Sequence, residues 1–420
     1  MNRIVLIGNG FDIAHGLKTS YANFIEWYWE EWGKRLRNGK SKLEEDRFSS
    51  FKLKNGLGVA AWYLAWSYCV KENPVLPWTN KEIVAIAQQE QGLCTYTSKS
   101  EFFDKICNHL QTKKWVDIED IYYAFLKSSR DPKQINDDLD FLKDKLINYL
   151  KSLPQFAPNP IIQKQILAPI SKEEIAIESM DVWKETMKIR MKYDKSKWDH
   201  LIEGYILNKK NPHYSFQSVE YFIKTYGLDI VNGKVDESAC PTFRLPDNIM
   251  LLNFNYTNTA DVYLPHVDKF SENHIHGTVS KPESVIFGYG DERDDEYEKL
   301  MKKNNNEYLR QIKSFRYLDA SNYRRMLGFI ESGPYQLCIM GHSCGISDRT
   351  LLSTLFGHQN CISIKPYYHL KEDGTDNYQD LVCCIARNFS DPRLMRDRVV
   401  GKERCEPLGK DKNDEKKPQK

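Results

Sequence analysis

The sequence has no hydrophobic run long enough to cross a membrane. The longest apolar stretch, residues 57–70 (LGVAAWYLAWSYCV), is well short of the roughly 20 residues that a spanning helix needs. The apolar run at residues 4–7 stops at Gly8, short of a signal-peptide core of about 7–15 residues. No small-residue cleavage site follows it. These absences predict a cytoplasmic protein without a membrane span.

The sequence also lacks an excess of charge of one sign and any C-x-x-C pair of cysteines. Lys and Arg number 60 against 58 Asp and Glu, a formal net charge of +2, so composition predicts no basic surface for a polynucleotide. None of the ten cysteines forms a C-x-x-C pair. We therefore expect reduced thiols of the kind found in cytosolic proteins.

Short runs of branched apolar residues indicate a parallel sheet that is buried on both faces. They occupy residues 4–7, 249–252, 285–287, 337–340 and 361–364. Between the first two runs, apolar residues recur at helical spacing, interrupted by prolines at residues 154–169. We therefore predict an α/β fold with a Rossmann-like parallel sheet and a large helical insertion. The predicted divisions are residues 1–30 (first strand, glycine loop and helix), 31–244 (insertion), 245–400 (remainder of the α/β domain) and 401–420 (disordered charged tail).

The first strand leads directly into a glycine loop, Gly8-Asn9-Gly10-Phe11-Asp12. Free backbone N–H groups at such a turn suit the phosphates of a nucleotide. Ile13 replaces the third glycine of the G-x-G-x-x-G fingerprint, and Asp12 would repel a pyrophosphate. This carboxylate therefore suits ribose hydroxyls or catalysis better. A plain glycine turn with Asp12 as a helix cap is the structural alternative.

Polar side chains follow the second predicted strand and return in a histidine segment. Asn253, Asn255 and Asn258 stand where an open α/β sheet binds its ligand, although an asparagine-rich turn with a helix cap would use the same residues. His274 and His276 form a candidate metal pair, but no further ligand accompanies them at a suitable spacing. We therefore expect no metal ion and assign His276 to the crevice as a base or ribose partner.

A fourth polar segment, Gly341-His342-Ser343-Cys344-Gly345, follows the strand at residues 337–340. Its letters match the G-x-S-x-G nucleophile elbow of α/β hydrolases. The only aspartate between Ser343 and the last histidine is Asp348, which leaves too little chain for the rest of that fold. We favour ligand contacts by His342 and Ser343, with a helix capped by Ser347. A serine hydrolase that uses Ser343 is the alternative.

In their order, these segments resemble the bacterial abortive-infection AbiH family, whose members defend against phage. The resemblance implies an anti-phage role for this chain. In the segment at residues 115–120 (WVDIED), Asp117 and Glu119 either reach the crevice or lie at a solvated helix start. The segments that carry the resemblance are IVLIGNGFDIAHGLKTSYANF (Ile4–Phe24), WVDIED (Trp115–Asp120), LNFNYTNT (Leu252–Thr259), HIHG (His274–Gly277), IFGYGDE (Ile286–Glu292) and GHSCGISDRTLL (Gly341–Leu352).

The same order is similar to that of the sirtuin-like NAD-binding domains. Gly8-Asn9-Gly10, Asn255-Tyr256, His276-Gly277 and residues 341–348 occupy the places of their glycine loop, Asn segment, His-Gly segment and late Gly-x-Ser segment. The chain departs from them at Phe11-Asp12 and has no zinc module of paired cysteines. The resemblance therefore implies hydrolysis of NAD to nicotinamide and ADP-ribose, or NAD binding, and not protein deacylation.

This resemblance implies roles for individual residues. Asn255 would orient the attacking water, His276 would engage the ribose or take a proton, and Asp12 would face the developing cation. NAD is then a substrate, and no cofactor is expected. A non-catalytic nucleotide sensor or a partner-binding defence protein is the alternative, and a homo-oligomer or a defence partner protein is compatible with the sequence. The other residues expected to bind the ligand are Gly8, Asn9, Gly10, Phe11, His15, Thr19, Asn253, Tyr256, Asn258, Gly277, Gly341, His342, Ser343 and Asp348.

Overall fold

The computed structural model describes most of the chain, including the first and the last strand of the predicted sheet. The described residues are 1–62, 94–113, 116–154, 156–187, 230–231, 234–235, 243–264 and 269–410. Three parts of the predictions above lie outside them: Trp66 in the apolar stretch at residues 57–70, Trp115 in the WVDIED segment, and residues 411–420 of the charged tail. Among the described residues, no helix is both long enough and apolar enough to cross a membrane.

A five-stranded parallel sheet forms the centre of the molecule. Numbered along the chain, its strands have the spatial order β3-β2-β1-β4-β5. Every residue of β1, β2, β4 and β5 is buried, which explains their largely apolar sequences. The predicted α/β class with a parallel sheet is thus confirmed, and the strand order is compatible with a Rossmann-like sheet. The strands are β1 (Asn2–Ile7), β2 (Ile249–Asn253), β3 (Phe270–His274), β4 (Tyr335–Met340) and β5 (Cys361–Tyr367).

One predicted strand was wrong. Residues 285–287 form no strand, although Val285 and Phe287 are buried in a core. The strand at this edge of the sheet is instead β3. Its sequence, FSENH, carries polar side chains because β3 is only partly covered. An apolar run therefore identified a buried segment here but not its hydrogen bonding.

Helices cover both faces of the sheet, and their packing follows the alternation of strand side chains. Ile4 and Leu6 face one layer, whereas Val5 and Ile7 face the other. The helices along the chain are α1 (Asn9–Ala14), α2 (Tyr21–Arg37), α3 (Glu101–Lys113), α4 (Ile118–Ser128), α5 (Pro132–Lys151), α6 (Pro160–Leu167), α7 (Asp295–Lys302), α8 (Lys313–Arg316), α9 (Asn322–Glu331), α10 (Arg349–Gly357), α11 (Tyr378–Ala386) and α12 (Pro392–Arg398).

A second core, rich in aromatic residues, lies between β1 and β2 in the sequence. Helices α2 to α5 contribute to it, and Trp29, Trp62 and Phe103 are almost completely buried there. Helix α2 packs in this core and continues to residue 37, so the predicted division at residue 30 falls inside a helix. The segment is not wholly helical, because it contains an antiparallel sheet. The strands of that sheet are Leu43–Glu45, Ser49–Leu53 and Cys94–Ser98.

The residues after α12 hold a defined position on the sheet domain. The backbone N–H of Val400 donates to the carbonyl of Ile364 (2.9 Å), and Cys405 packs against Tyr368 and Val400. The disordered tail predicted to start at residue 401 is therefore corrected for residues 401–410, whose apolar side chains find a place in the fold. The eight cysteines in the described part of the chain are free thiols.

Candidate functional site

The segments that follow β1, β2, β3 and β4 meet at one edge of the sheet because these strands are parallel and in register. Ile7, the last residue of β1, pairs with Asn253 on one side and Met340 on the other, and Asn253 pairs with His274. The connection changes direction between β1 and β4, and open α/β sheets bind ligands at the carboxyl edge beside such a point. We call this region the crevice.

The predicted glycine loop is, after Gly8, the first turn of α1, and it makes direct backbone contact with the glycine-containing loop after β4. The N–H of Gly10 donates to the carbonyl of Gly341 (2.8 Å). A Cβ atom on Gly341, whose φ is +77°, would lie 2.0 Å from the backbone nitrogen of Phe11, and one on Gly8 would lie 2.5 Å from the Cα of His342. The close approach that these glycines permit is therefore between two protein loops, while the Asn9 side chain between them is exposed.

The asparagine segment after β2 is tied to the glycine loop. The Nδ2 of Asn255 donates to the carbonyl of Gly8 (3.0 Å), and the side chain of Asn255 is half-buried. Asn253 is completely buried; its Oδ1 accepts from the N–H of Asn255 (2.9 Å) and its Nδ2 donates to the carbonyl of Thr257 (3.2 Å). Asn253 therefore shapes the turn, and Asn255 is the member of the segment that reaches the crevice.

Asp12, the last residue of the glycine loop, contacts the segment that follows β2. Its Oδ2 accepts a hydrogen bond from the hydroxyl of Thr257 (2.6 Å), whereas its Oδ1 is buried and has no hydrogen-bond partner among the described residues. Burial raises the pKa of Asp12 to about 6, although hydrogen bonds from Thr257, Thr259 and Asn255 oppose the shift. Asp12 is consequently a carboxyl group that can change its protonation state near neutral pH.

A buried charge network forms the other side of the crevice floor. The Nζ of Lys313, at the start of α8, lies 2.7 Å from Glu119 Oε2 and 2.7 Å from Asp348 Oδ1. The Nε2 atoms of His276 and His342 lie 3.4 Å and 3.6 Å from the two oxygens of Asp348. The network thus joins α4, α8 and the loops after β3 and β4 around one ammonium group.

The network fixes the protonation states of its members. Burial alone would raise the pKa of Asp348, but Lys313 and the two histidines lower it well below its usual value. Burial lowers the pKa of His276 to about 3, and Lys313 adds to this shift. Burial raises the pKa of Glu119 to about 8, against the opposing charge of Lys313. At neutral pH we therefore assign an ionised Asp348, a neutral His276 and a Glu119 that readily holds a proton.

His276 lies under the crevice surface. Its side chain is only 4% exposed, its Nε2 is 3.1 Å from the hydroxyl of Tyr317, and Phe254 packs edge-on against its ring. His274 and His276 have different partners, because Nε2 of His274 contacts Asp261 and Glu272. The two histidines therefore do not form the metal pair considered from the sequence.

Asp117 brings the second core to the crevice. It caps α4 by accepting hydrogen bonds from the N–H groups of Glu119 and Asp120, and its Oδ2 lies 3.7 Å from the position of a Cβ on Gly345. Helix α4 thus carries Glu119 into the charge network. Lys313 could not be found from the sequence, since one lysine in a helix-like stretch has no motif around it.

Ser343 does not have the surroundings of a catalytic serine. Its side chain is exposed, and within the described residues no hydrogen bond joins its hydroxyl to a histidine or a carboxylate. The Nδ1 of His342 instead accepts from the N–H of Cys344 (2.9 Å), which has an unusual positive φ of 55°. Asp348 pairs with Lys313. This geometry disfavours the serine hydrolase alternative.

The remaining predicted ligand residues hold the loops in place. Phe11 is completely buried in the sheet core, so it offers no face to a ligand. A Cβ on Gly277 would collide with Ser284. The other contacts are His15 with the Phe11 carbonyl (2.7 Å) and the Tyr263 hydroxyl (2.5 Å), Thr19 with Asn9 (2.5 Å), the Tyr256 hydroxyl with the Ile286 carbonyl (3.1 Å), and the exposed Asn258 with Ser280 (3.2 Å).

Comparison with known proteins gives a family for the chain. No curated protein and no solved structure matches it. The family model described as bacteriophage abortive infection AbiH matches residues 4–368, a span that includes all five strands and both sides of the crevice. The chain therefore belongs to the AbiH family of bacteriophage abortive-infection proteins.

Proposed function

We propose that the chain hydrolyses NAD to nicotinamide and ADP-ribose as its contribution to abortive infection. In this reaction the bond between nicotinamide N1 and ribose C1′ breaks, a water oxygen bonds to C1′, and one proton is released. The observation that carries the proposal is the contact of Asn255 with the glycine loop above Asp12, at the sheet edge where Rossmann-like folds bind nucleotides. The order of segments shared with sirtuin-like NAD-binding domains supports the same substrate.

The chemistry asks little acid catalysis of the site, because nicotinamide leaves as a neutral molecule. The site must instead stabilise a ribose that carries positive charge and keep the attacking water in place. Asp348 is ionised but paired with Lys313, whereas Asp12, with a pKa of about 6, is largely ionised at pH 7 and above, so Asp12 is the carboxylate available to this ribose. Depleting NAD would halt the host cell and thereby phage replication.

Two residues have properties that suit the water and its proton. Asn255 is half-exposed and anchored through Nδ2 to Gly8, so its amide can orient a water. Asp12, with a pKa of about 6, is largely ionised at pH 7 and above and can accept the proton. The burial and partners of His276 favour a positioning role, in which the neutral ring supports Asp348 and Tyr317.

Release of nicotinamide from NAD, measured by mass spectrometry with the purified full chain, tests the proposal. We expect turnover that Asn255→Ala lowers at least 100-fold. Asn258→Ala is the matched control, because the side chain of this exposed asparagine in the same segment hydrogen-bonds to Ser280 and, among the described residues, to no group of the glycine loop. Ser343→Ala should also keep its activity. If Ser343→Ala is the only variant that loses activity, the result supports the serine hydrolase alternative instead.

A nucleotide sensor without catalysis is the second candidate. The contact between Gly8, Gly10 and Gly341 favours it, because backbone rather than ligand fills the space beside these glycines. Calorimetric titration with NAD separates the two functions: binding without nicotinamide release, both in the tube and in phage-infected cells that express the chain, would identify a sensor.

A further inference from the structure

Three metal-ligating side chains come together on the edge strand, outside the charge network of the crevice. Asp261, Glu272 and His274 each offer one ligand atom, and these atoms all lie within 4.8 Å of one another. All three residues are partly buried. None of them belongs to the proposed mechanism of NAD hydrolysis.

The fold explains why these residues meet although Asp261 is distant in sequence from the other two. Glu272 and His274 are two residues apart on β3, so their side chains point to the same face of the strand. Asp261 begins the short helical turn Asp261–Tyr263 that follows the neighbouring strand β2. Parallel pairing sets His274 opposite Asn253 at the end of β2, which brings the turn to the edge strand.

The separation of His274 from Asp261 is that of two ligands around one ion. His274 Nε2 lies 3.4 Å from Asp261 Oδ1 and contacts Glu272 Oε1. Ligands bound to one ion at about 2.1 Å stand roughly 3 to 3.5 Å apart. The same two carboxylate oxygens are buried, and neither accepts a hydrogen bond of good geometry from a described residue. Buried carboxylate oxygens need a partner, and a metal ion would supply one to both.

We propose that Asp261, Glu272 and His274 bind a divalent transition-metal ion of the Zn²⁺ and Mn²⁺ class. Two carboxylates neutralise the charge of the ion and suit Mn²⁺, and the imidazole nitrogen suits Zn²⁺, so this mixed set of ligands favours these two ions over Ca²⁺ and Mg²⁺, which prefer oxygen ligands alone. Three protein ligands leave coordination positions for water or for another molecule. The site is independent of the proposed NAD hydrolysis.

Titration of the chelator-treated full chain with Mn²⁺, followed by electron paramagnetic resonance of the free ion, tests this site. Mn²⁺ is the probe because thiolates bind it poorly, so the exposed Cys383 does not compete. We expect about one bound Mn²⁺ per chain, displaced by an equivalent of Zn²⁺ and not by the same amount of Mg²⁺. His274→Ala should weaken binding at least tenfold.

His358→Ala is the matched control, because His358 pairs with Glu331 (3.2 Å) but has no third ligand beside it in the part of the chain that the structure describes. This variant should bind Mn²⁺ like the wild type. If His274→Ala loses the native circular dichroism spectrum, Asp261→Asn replaces it, since the Asp261 side chain is 36% exposed and tolerates substitution more readily. Absence of stoichiometric binding, or unchanged binding in the variant that folds, would overturn the site and leave a histidine that bridges two carboxylates.

Discussion

Individual residues in the crevice serve packing as much as chemistry. Gly341 is the clearest example, because its positive φ and its contact with Phe11 both exclude a side chain. Lys313 is another, since it is buried between two carboxylates and holds α4 to the loop after β4. Removing one partner from such a buried group leaves charges without compensation, so each member depends on the others.

Gly341→Ala should lower the free energy of unfolding far more than Gly374→Ala. Both glycines have a positive φ, +77° and +80°, but nothing lies within 4 Å of a Cβ on Gly374. Gly374→Ala should therefore cost about 1 kcal/mol from the backbone alone. Gly341→Ala should cost about 2 kcal/mol more, because the new methyl group displaces the glycine loop. Urea unfolding measures both, and equal losses would contradict the loop contact.

Asp12 should make stability depend on pH in a direction opposite to that of most carboxylates. Its pKa rises from 3.8 to about 6 on folding, so the folded state binds the proton more tightly. This stabilisation is complete below about pH 4 and is lost as the pH rises through 6, a change of about 3 kcal/mol. Asp12→Asn should therefore gain stability relative to the wild type between pH 4 and pH 7. If the free energies of unfolding of the two proteins change with pH in the same way, the raised pKa of Asp12 is refuted.

At the scale of elements, strands were easier to predict than the residues between them. Buried parallel strands are mostly apolar, so residues 4–7, 249–252, 337–340 and 361–364 could be identified directly. The edge strand β3 could not, because its polar residues hide the pattern. The loops at the sheet edge followed from the strands, whereas Lys313 depends on tertiary packing that no local pattern encodes.

The N-cap of α4 should matter for activity as well as for stability. Asp117 caps α4 and Asp131 caps α5, each through its carboxylate. Replacing either with Ala should cost about 1 kcal/mol of unfolding free energy. Only Asp117→Ala should reduce nicotinamide release, because α4 positions Glu119 beside Lys313. If Asp131→Ala reduces turnover equally, helix stability alone explains the loss.

At the scale of the whole molecule, the aromatic core and the sheet are joined through buried polar contacts. Glu119 of α4 accepts hydrogen bonds from the backbone of Gly288 (3.2 Å) and from Lys313, and Lys313 in turn pairs with Asp348 in the loop after β4 (2.7 Å). Opening one core would break these contacts. We therefore expect the two units to unfold together.

Thiol labelling under native conditions tests this coupling. Cys107 of α3 is buried in the aromatic core, and Cys338 of β4 is buried in the sheet. Trp29→Ala should destabilise the chain by about 3 kcal/mol or more. Labelling of both thiols, read by mass spectrometry, should then accelerate by similar factors of about 100. Leu318→Ala, at a side chain that is 77% exposed, should change neither rate. Faster labelling of Cys107 alone would mean independent units.

The central position of β1 has a consequence for synthesis of the protein. Its two partners, β2 and β4, are translated long after it. At roughly 5–20 residues per second, a ribosome needs on the order of tens of seconds to travel from β1 to β4. Throughout that time the loop after β4, which contacts the glycine loop in the folded protein, has not been made, and Asp348 is also missing. Under the proposed function, a cell that makes this defence protein therefore holds only inert nascent chains until translation passes β4, and a transcript broken earlier yields nothing that can harm its host.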